Sequence, residues 1–205
     1  LYYIILYYII IMYFITNEHS LFNSIFRSAP CTLPIFSIII FIYTNNITFL
    51  YLFLGQYIVQ LLTPFFKNII AYPIGVYLTN IFKTDDIPII GRFKRPIGAT
   101  NTGCYYISKD NLSTTEGMPS GHSMLIAFVC VFLYYYIIDF YNIKKQHKIY
   151  ILFIFLFITI YMMYTRVLMN AHTIQQTIVG SLIGYVLAYY YYIYIKNKIK
   201  IKKNI

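Results

Sequence analysis

The chain has 205 residues, 60% of them hydrophobic and 11% charged, with a formal net charge of +10. Soluble domains carry about 25% charged residues, so a water-soluble globular domain is excluded and a multi-pass membrane protein is expected. In a soluble protein this positive balance would raise nucleic acid as a partner. Here the Lys and Arg residues gather in loops and a tail. No nucleic-acid partner is therefore expected, and the charge reads as membrane topology plus an anion site.

Residues 1–16 are apolar throughout and long enough for most of a span, at about 1.5 Å per residue. No basic segment precedes them, so no signal peptide is expected. Asn17-Glu18-His19-Ser20 ends the run, residues 17–30 are mixed, and His19 reads as solvated. A second apolar run covers 33–44 and ends at the turn Asn45-Asn46. The third, 47–82, is interrupted by Pro64, Lys67 and Pro73. It is too long for one straight span and predicts a span followed by a kinked or interfacial extension. Residues 83–118 form a long polar loop, and further spans are expected over 120–141, 149–166 and 173–195. The fold class is thus all-α, a polytopic membrane bundle of about six transmembrane helices. It forms a single domain over 1–205, with its motif-bearing core at about 83–195.

Lys144, Lys145 and Lys148 precede the fifth span, and Lys196, Lys198, Lys200, Lys202 and Lys203 follow the sixth. Two crossings separate them, so they share a side, which the positive-inside rule makes cytoplasmic. The long loop, His122, Arg166 and His172 then share the lumenal or extracytoplasmic face.

Three clusters reach that face. The first is Gly91-Arg92-Phe93-Lys94-Arg95-Pro96, after Lys83. The second is Gly117-Met118-Pro119-Ser120-Gly121-His122-Ser123, where polar loop meets apolar run. Pro119 suits a first helical turn, and Ser120 and Gly121 then offer free N–H groups at a helix N-terminus, a seat for an anion. The third runs from Thr165-Arg166 to His172-Thr173-Ile174-Gln175-Gln176. Arg at a membrane rim tends to mark function. Gln176, four residues after His172, shares its helix face. Its carbonyl can accept from one ring nitrogen and leave the other free to attack, contributing one neutral hydrogen bond. Together the clusters suit phosphoryl transfer: basic groups and helix N–H neutralise phosphate oxygens, one His attacks phosphorus, and another protonates the leaving oxygen.

Cys31, Cys104 and Cys130 are irregularly spaced, suggesting neither a disulfide framework nor a metal site. Asp85-Asp86 is an isolated pair, and Asp139 falls near the cytoplasmic end of its span. Without spaced carboxylates, no metal and no other cofactor is expected.

Arg95-Pro96, then Pro119-Ser120-Gly121-His122, then Arg166 with five residues before His172 resembles the type-2 phosphatidic acid phosphatase superfamily of membrane lipid phosphatases. The resemblance implies His172 as nucleophile forming a phosphohistidine and His122 as acid for the leaving group. Arg95, Arg166, Ser120, Gly121 and a Lys would hold the phosphate. The lysine that the family carries ahead of its Arg-Pro pair is Pro88 here, leaving Lys83, Lys94 or Lys67 to fill the role. Thr165 stands for the family's Ser, and Gln176 for its usual Asp. The His-Thr-x-x-Gln pattern and Gly-Met-Pro-Ser are similar to the dolichyl diphosphatase branch, which implies a polyprenyl diphosphate substrate in the bilayer. The alternatives are a broad phosphatidate or lysophosphatidate phosphatase, and a lipid-binding protein without catalysis. Oligomeric state is not legible.

Overall fold

The computed structural model describes residues 21–102, 107–111 and 115–203. The expected first span, 1–16, lies outside the described residues. The first described helix, α1, runs Leu21–Thr44, so part of the stretch read as mixed is helical. α2 covers Ile47–Phe65 and leads through a π-helical segment, Phe66–Ala71, into α3, Tyr72–Phe82. A two-stranded ribbon in the long loop pairs β1 (Thr100–Thr102) antiparallel with β2 (Ile107–Asn111), Thr102 opposite Ile107. α4 is Gly121–Phe140, α5 Lys145–Leu168 and α6 Ile174–Lys203. Apart from the ribbon the fold is a helical bundle. Among the described residues five helical runs are long and apolar enough to cross a membrane, which makes this a multi-pass integral membrane protein. α6 continues past its expected end at 195 because Lys is a good helix former that remains helical outside hydrocarbon.

α1 contains Pro30 and Pro34. Pro34 has no N–H to offer the Pro30 carbonyl one turn back. Gln60 of α2 repairs the gap, donating from Nε2 to that carbonyl at 2.8 Å. Gln56, a turn earlier, donates to Ser37 Oγ at 2.8 Å. Bare backbone groups are costly in hydrocarbon, so these amides bind α1 to α2. α2 itself opens at Asn46, whose Oδ1 accepts from the Thr48 N–H at 3.1 Å. The kinked extension expected after it takes the form of the π segment just beyond Pro64, where Tyr72 N–H reaches the Lys67 carbonyl five residues back. π turns often sit at functional sites, and this one carries Lys67.

α4 is the central helix, packed against α6, α5 and α2. Its Met124, Leu125, Ala127, Phe128 and Phe132 are buried, and it is apolar all round, as a helix enclosed by others must be. α6 approaches it backbone to backbone. A Cβ added to Gly180 would collide with the Ser120 carbonyl oxygen, and one on Gly184 with that of Met124. Small residues four apart on one face permit such a crossing.

The helices sort the polar groups to two ends. At one end Asn46 Nδ2 donates to the Tyr136 hydroxyl at 2.9 Å, and Asp139 pairs with Lys196 at 2.5 Å and accepts from the Tyr192 hydroxyl at 3.0 Å. The α4–α5 loop and the basic tail are therefore on one side, as the crossing count predicts. At the other end, α1 begins, α2 meets its π segment, α4 begins, and α5 passes to α6.

Gly184→Leu should separate α4 from α6. Overpacking costs about 1–3 kcal/mol, or a few degrees in Tm for a chain of roughly this size. Thermal unfolding of the purified variant in detergent checks this, and an unchanged Tm would contradict the close crossing.

Candidate active site

His172 sits in the turn between α5 and α6, 3% exposed. The turn is closed by Ala171 and His172 N–H groups donating to the Arg166 carbonyl at 3.0 and 3.3 Å. Asn170 takes the left-handed conformation it needs (φ 49°), one that Asn tolerates. α6 then starts with a reciprocal cap. Gln176 N–H donates to Thr173 Oγ1 at 3.3 Å, and Thr173 N–H donates to Gln176 Oε1 at 3.2 Å.

The fully buried Gln176 side chain does more than cap. Its Nε2 donates to the carbonyls of Arg92 and Lys94, each at 2.7 Å. Two acceptors on that side fix the amide orientation, so Oε1 faces His172 Nδ1 at 3.0 Å. An amide oxygen only accepts, so Nδ1 carries the hydrogen and Nε2 keeps its lone pair. This gives a physical reason for Gln where Asp is usual in the family it resembles. A carboxylate has no hydrogens for two carbonyls and would repel them.

The same node gathers the other clusters. Gly117 and Met118 N–H groups both donate to the Phe93 carbonyl, at 2.8 and 3.0 Å. A Cβ on Gly117 would come within 2.5 Å of the Gln176 amide, so glycine is needed there. Ser120 N–H donates to the Gln176 carbonyl at 3.0 Å. That corrects the expectation that the Ser120 amide is free. It is committed to α6, and the helix head offers the amides of Gly121 and His122 instead. Pro119 likewise precedes the cap, Ser120, rather than filling the first helical turn. The buried Ser120 hydroxyl accepts from Ser123 Oγ at 3.2 Å.

His122 places Nε2 3.0 Å from the Arg27 carbonyl. A carbonyl only accepts, so this nitrogen carries hydrogen and Nδ1 is the one left to exchange a proton. Arg166 is 1% exposed. The charges of Arg166, Lys67 and Arg95 act on both His172 and His122, and Arg95 and Arg27 act on Arg166. Lys67 Nζ also donates to the Glu116 carbonyl at 3.1 Å. Of the three candidate lysines, Lys67 alone joins this group among the described residues. Lys83 is exposed where α3 ends, in a left-handed conformation (φ 55°). Lys94 is exposed and bridges to Glu116, and what it gives the site is its backbone carbonyl. Burial raises the Glu116 carboxyl pKa, opposed by Lys94 and Lys67. Burial lowers that of the Arg95 guanidinium.

Arg27 escaped the sequence reading because its stretch looked mixed. The available signal was a single Arg among the otherwise uncharged residues of one long helix. Cys31, one turn on, is disulfide-bonded, against the expectation from spacing, whereas Cys130 is a buried free thiol. Among the described residues no three His, Cys, Asp or Glu side chains converge as a cation site would need.

The fold and this end of it define a class: multi-pass membrane proteins with two histidines set in a buried basic cluster. The chain belongs to the PAP2 superfamily, which it matches over residues 2–200. It matches no curated protein and no solved structure. Membership supports a lipid-phosphatase activity.

Burial chiefly, then the charges of Arg166, Lys67 and Arg95, hold the His172 pKa well below the ordinary value of 6.5, against the opposing pull of the Gln176 bond. The free protein should therefore keep His172 neutral through mildly acidic pH. Imidazole resonances of labelled protein in detergent, assigned by loss in His172→Gln, should titrate below 6.5. A midpoint at or above that value would contradict the environment described.

Proposed function

We propose that this protein hydrolyses a lipid diphosphate of the polyprenyl type by way of a phosphohistidine. The observation that carries the reading is the orientation of His172. Gln176 holds Nδ1–H, which leaves the Nε2 lone pair available beside Arg95, Arg166 and Lys67. Nε2 attacks the terminal phosphorus, a P–N bond forms, and the P–O bond to the leaving group breaks. His122 enters this step as the imidazolium, protonated on both nitrogens once the anionic substrate is bound, and gives its Nδ1 proton to the leaving oxygen while Nε2–H stays on the Arg27 carbonyl. Water then attacks the phosphohistidine, gives its proton to His122, and releases His172 and orthophosphate. The cations and the Gly121 and His122 amides stabilise the charge that builds on the phosphoryl oxygens.

The groups that meet the phosphate are basic side chains and amides, so the reaction needs no metal. Activity should survive EDTA, and loss on chelation with recovery on adding Mg²⁺ would overturn the mechanism. The site faces the lumen or outside. The lysines at the opposite end support this, as does the disulfide at Cys31 near the site end of α1, since disulfides persist in oxidising compartments.

Single-turnover trapping of labelled phosphate tests the assignment. His172→Ala should abolish turnover and the covalent phosphoenzyme. His122→Ala should be slow mainly with poor leaving groups, because a nitrophenolate departs without a proton. Gln176→Ala should cost more than one neutral hydrogen bond, since it strands the Arg92 and Lys94 carbonyls together with His172 Nδ1. Each stranded buried group costs about 1–3 kcal/mol; the share that falls on the orientation of His172 is expected as a loss of roughly ten- to a hundredfold in rate, and the two carbonyls as a loss of stability. Label retained in His172→Ala, or found on Ser120, would refute the scheme. Turnover of phosphatidate equal to that of a polyprenyl diphosphate would favour the broad phosphatase. Binding of vanadate without release of phosphate from any lipid would indicate a non-catalytic lipid-binding protein.

A further inference from the structure

We infer that Arg27 is a second phosphate-binding residue, which holds the phosphate that stays with the lipid when a diphosphate is cleaved. The inference rests on the hydrolase reading above but names a residue outside the three sequence clusters.

Arg27 belongs to α1, the element that closes the site on the His122 side. Its carbonyl holds His122 Nε2 at 3.0 Å. Its guanidinium charge acts on Arg166. Its Nε is shut off from solvent and has no hydrogen-bond partner among the described residues. A buried guanidinium nitrogen without an acceptor is costly, and a phosphate oxygen is the acceptor that its planar geometry suits.

Charge points the same way. Arg27, Lys67, Arg95 and Arg166 are linked by mutual or shared electrostatic interactions. A phosphomonoester dianion offsets about two such charges, whereas a diphosphate brings a further one. Position decides which phosphate Arg27 meets. His172 attacks the terminal phosphorus, and His122 stands by the leaving group. The Arg27 backbone carbonyl is bonded to His122, which puts this turn of α1 on the leaving-group side, and its guanidinium charge reaches Arg166 from there. In a diphosphate the leaving group is itself a phosphate, and Arg27 neutralises it as the bridging P–O bond breaks. A monoester has only an alcohol oxygen there and gives Arg27 nothing to bind.

The test compares a prenyl diphosphate with the matching prenyl monophosphate on purified wild type, Arg27→Met and Arg27→Lys. In parallel, inorganic pyrophosphate and orthophosphate binding is followed by thermal shift. All variants keep the backbone carbonyl that holds His122. Arg27→Met should lose about 10- to 100-fold in kcat/KM on the diphosphate, the scale of a charge-assisted hydrogen bond, with little change on the monophosphate. It should likewise lose its preference for pyrophosphate over orthophosphate. Arg27→Lys, which keeps the charge, should retain most of both, and Arg27→Gln replaces the methionine variant should that not fold. Equal losses on both substrates, or none, would overturn the assignment while leaving the hydrolase reading intact. Should the wild type hydrolyse neither lipid, the hydrolase reading fails. An Arg27-dependent preference for pyrophosphate would then still uphold the site, and its absence would overturn it.

Discussion

The backbone contact between α4 and α6 is the constraint on which the rest of the site depends. Gly180 and Gly184 carry no Cβ, so the two helices meet at their peptide groups near the start of α4. Only then can Ser120 N–H reach the Gln176 carbonyl. That bond joins the Pro119–His122 stretch to the His172–Gln176 turn, although more than fifty residues separate them in sequence. Gln176 extends the connection to the Arg92–Lys94 segment. One amide thus orients the imidazole, caps a helix and tethers a loop. Such a network is rigid because each member is satisfied only while the others are in place.

The charge arrangement opposes folding and favours ligand. Arg166 is buried, and Arg27, Arg95 and Lys67 lie near enough to act on it or on one another. Like charges in a poorly solvated place repel, and burial removes water that would otherwise relieve them. The glycine contact and the glutamine network keep them together before any anion arrives. Positive potential is therefore set in advance, and an anion that enters meets it with little reorganisation.

Much of this was legible in the sequence. Helix positions followed from apolar runs, and their common faces from counting crossings. Two of the basic clusters and both histidines follow from polar motifs at membrane rims. The His172–Gln176 pairing follows from a spacing of four. The residue missed, and those left unresolved, share a cause. Lys67 lies within a π turn, whose extra residue changes the direction a side chain takes, and no linear pattern reports that. Arg27 falls between prolines and a polar stretch that hide the helix carrying it. The engagement of the Ser120 amide could not be read, because it depends on which helix packs against the cap. The role of Gln176 as donor to two carbonyls is equally a matter of three dimensions, since those carbonyls belong to a loop some eighty residues earlier.

The proline defect in α1 has a mechanical meaning. Pro34 leaves the Pro30 carbonyl without its own helical donor, and Gln60 is the group that satisfies it. Were α1 to slide along α2 by one residue, that carbonyl would be bare in hydrocarbon and Gln60 would face nothing. The pair therefore behaves as a detent, with one preferred axial setting and a penalty on either side. Arg27 is one turn above Pro30 on the same helix, so the depth at which its guanidinium enters the basic cluster is set by the N–H missing at Pro34, about two helical turns away. A helix with alanines in place of its prolines would lose that index mark and be free to settle at other depths.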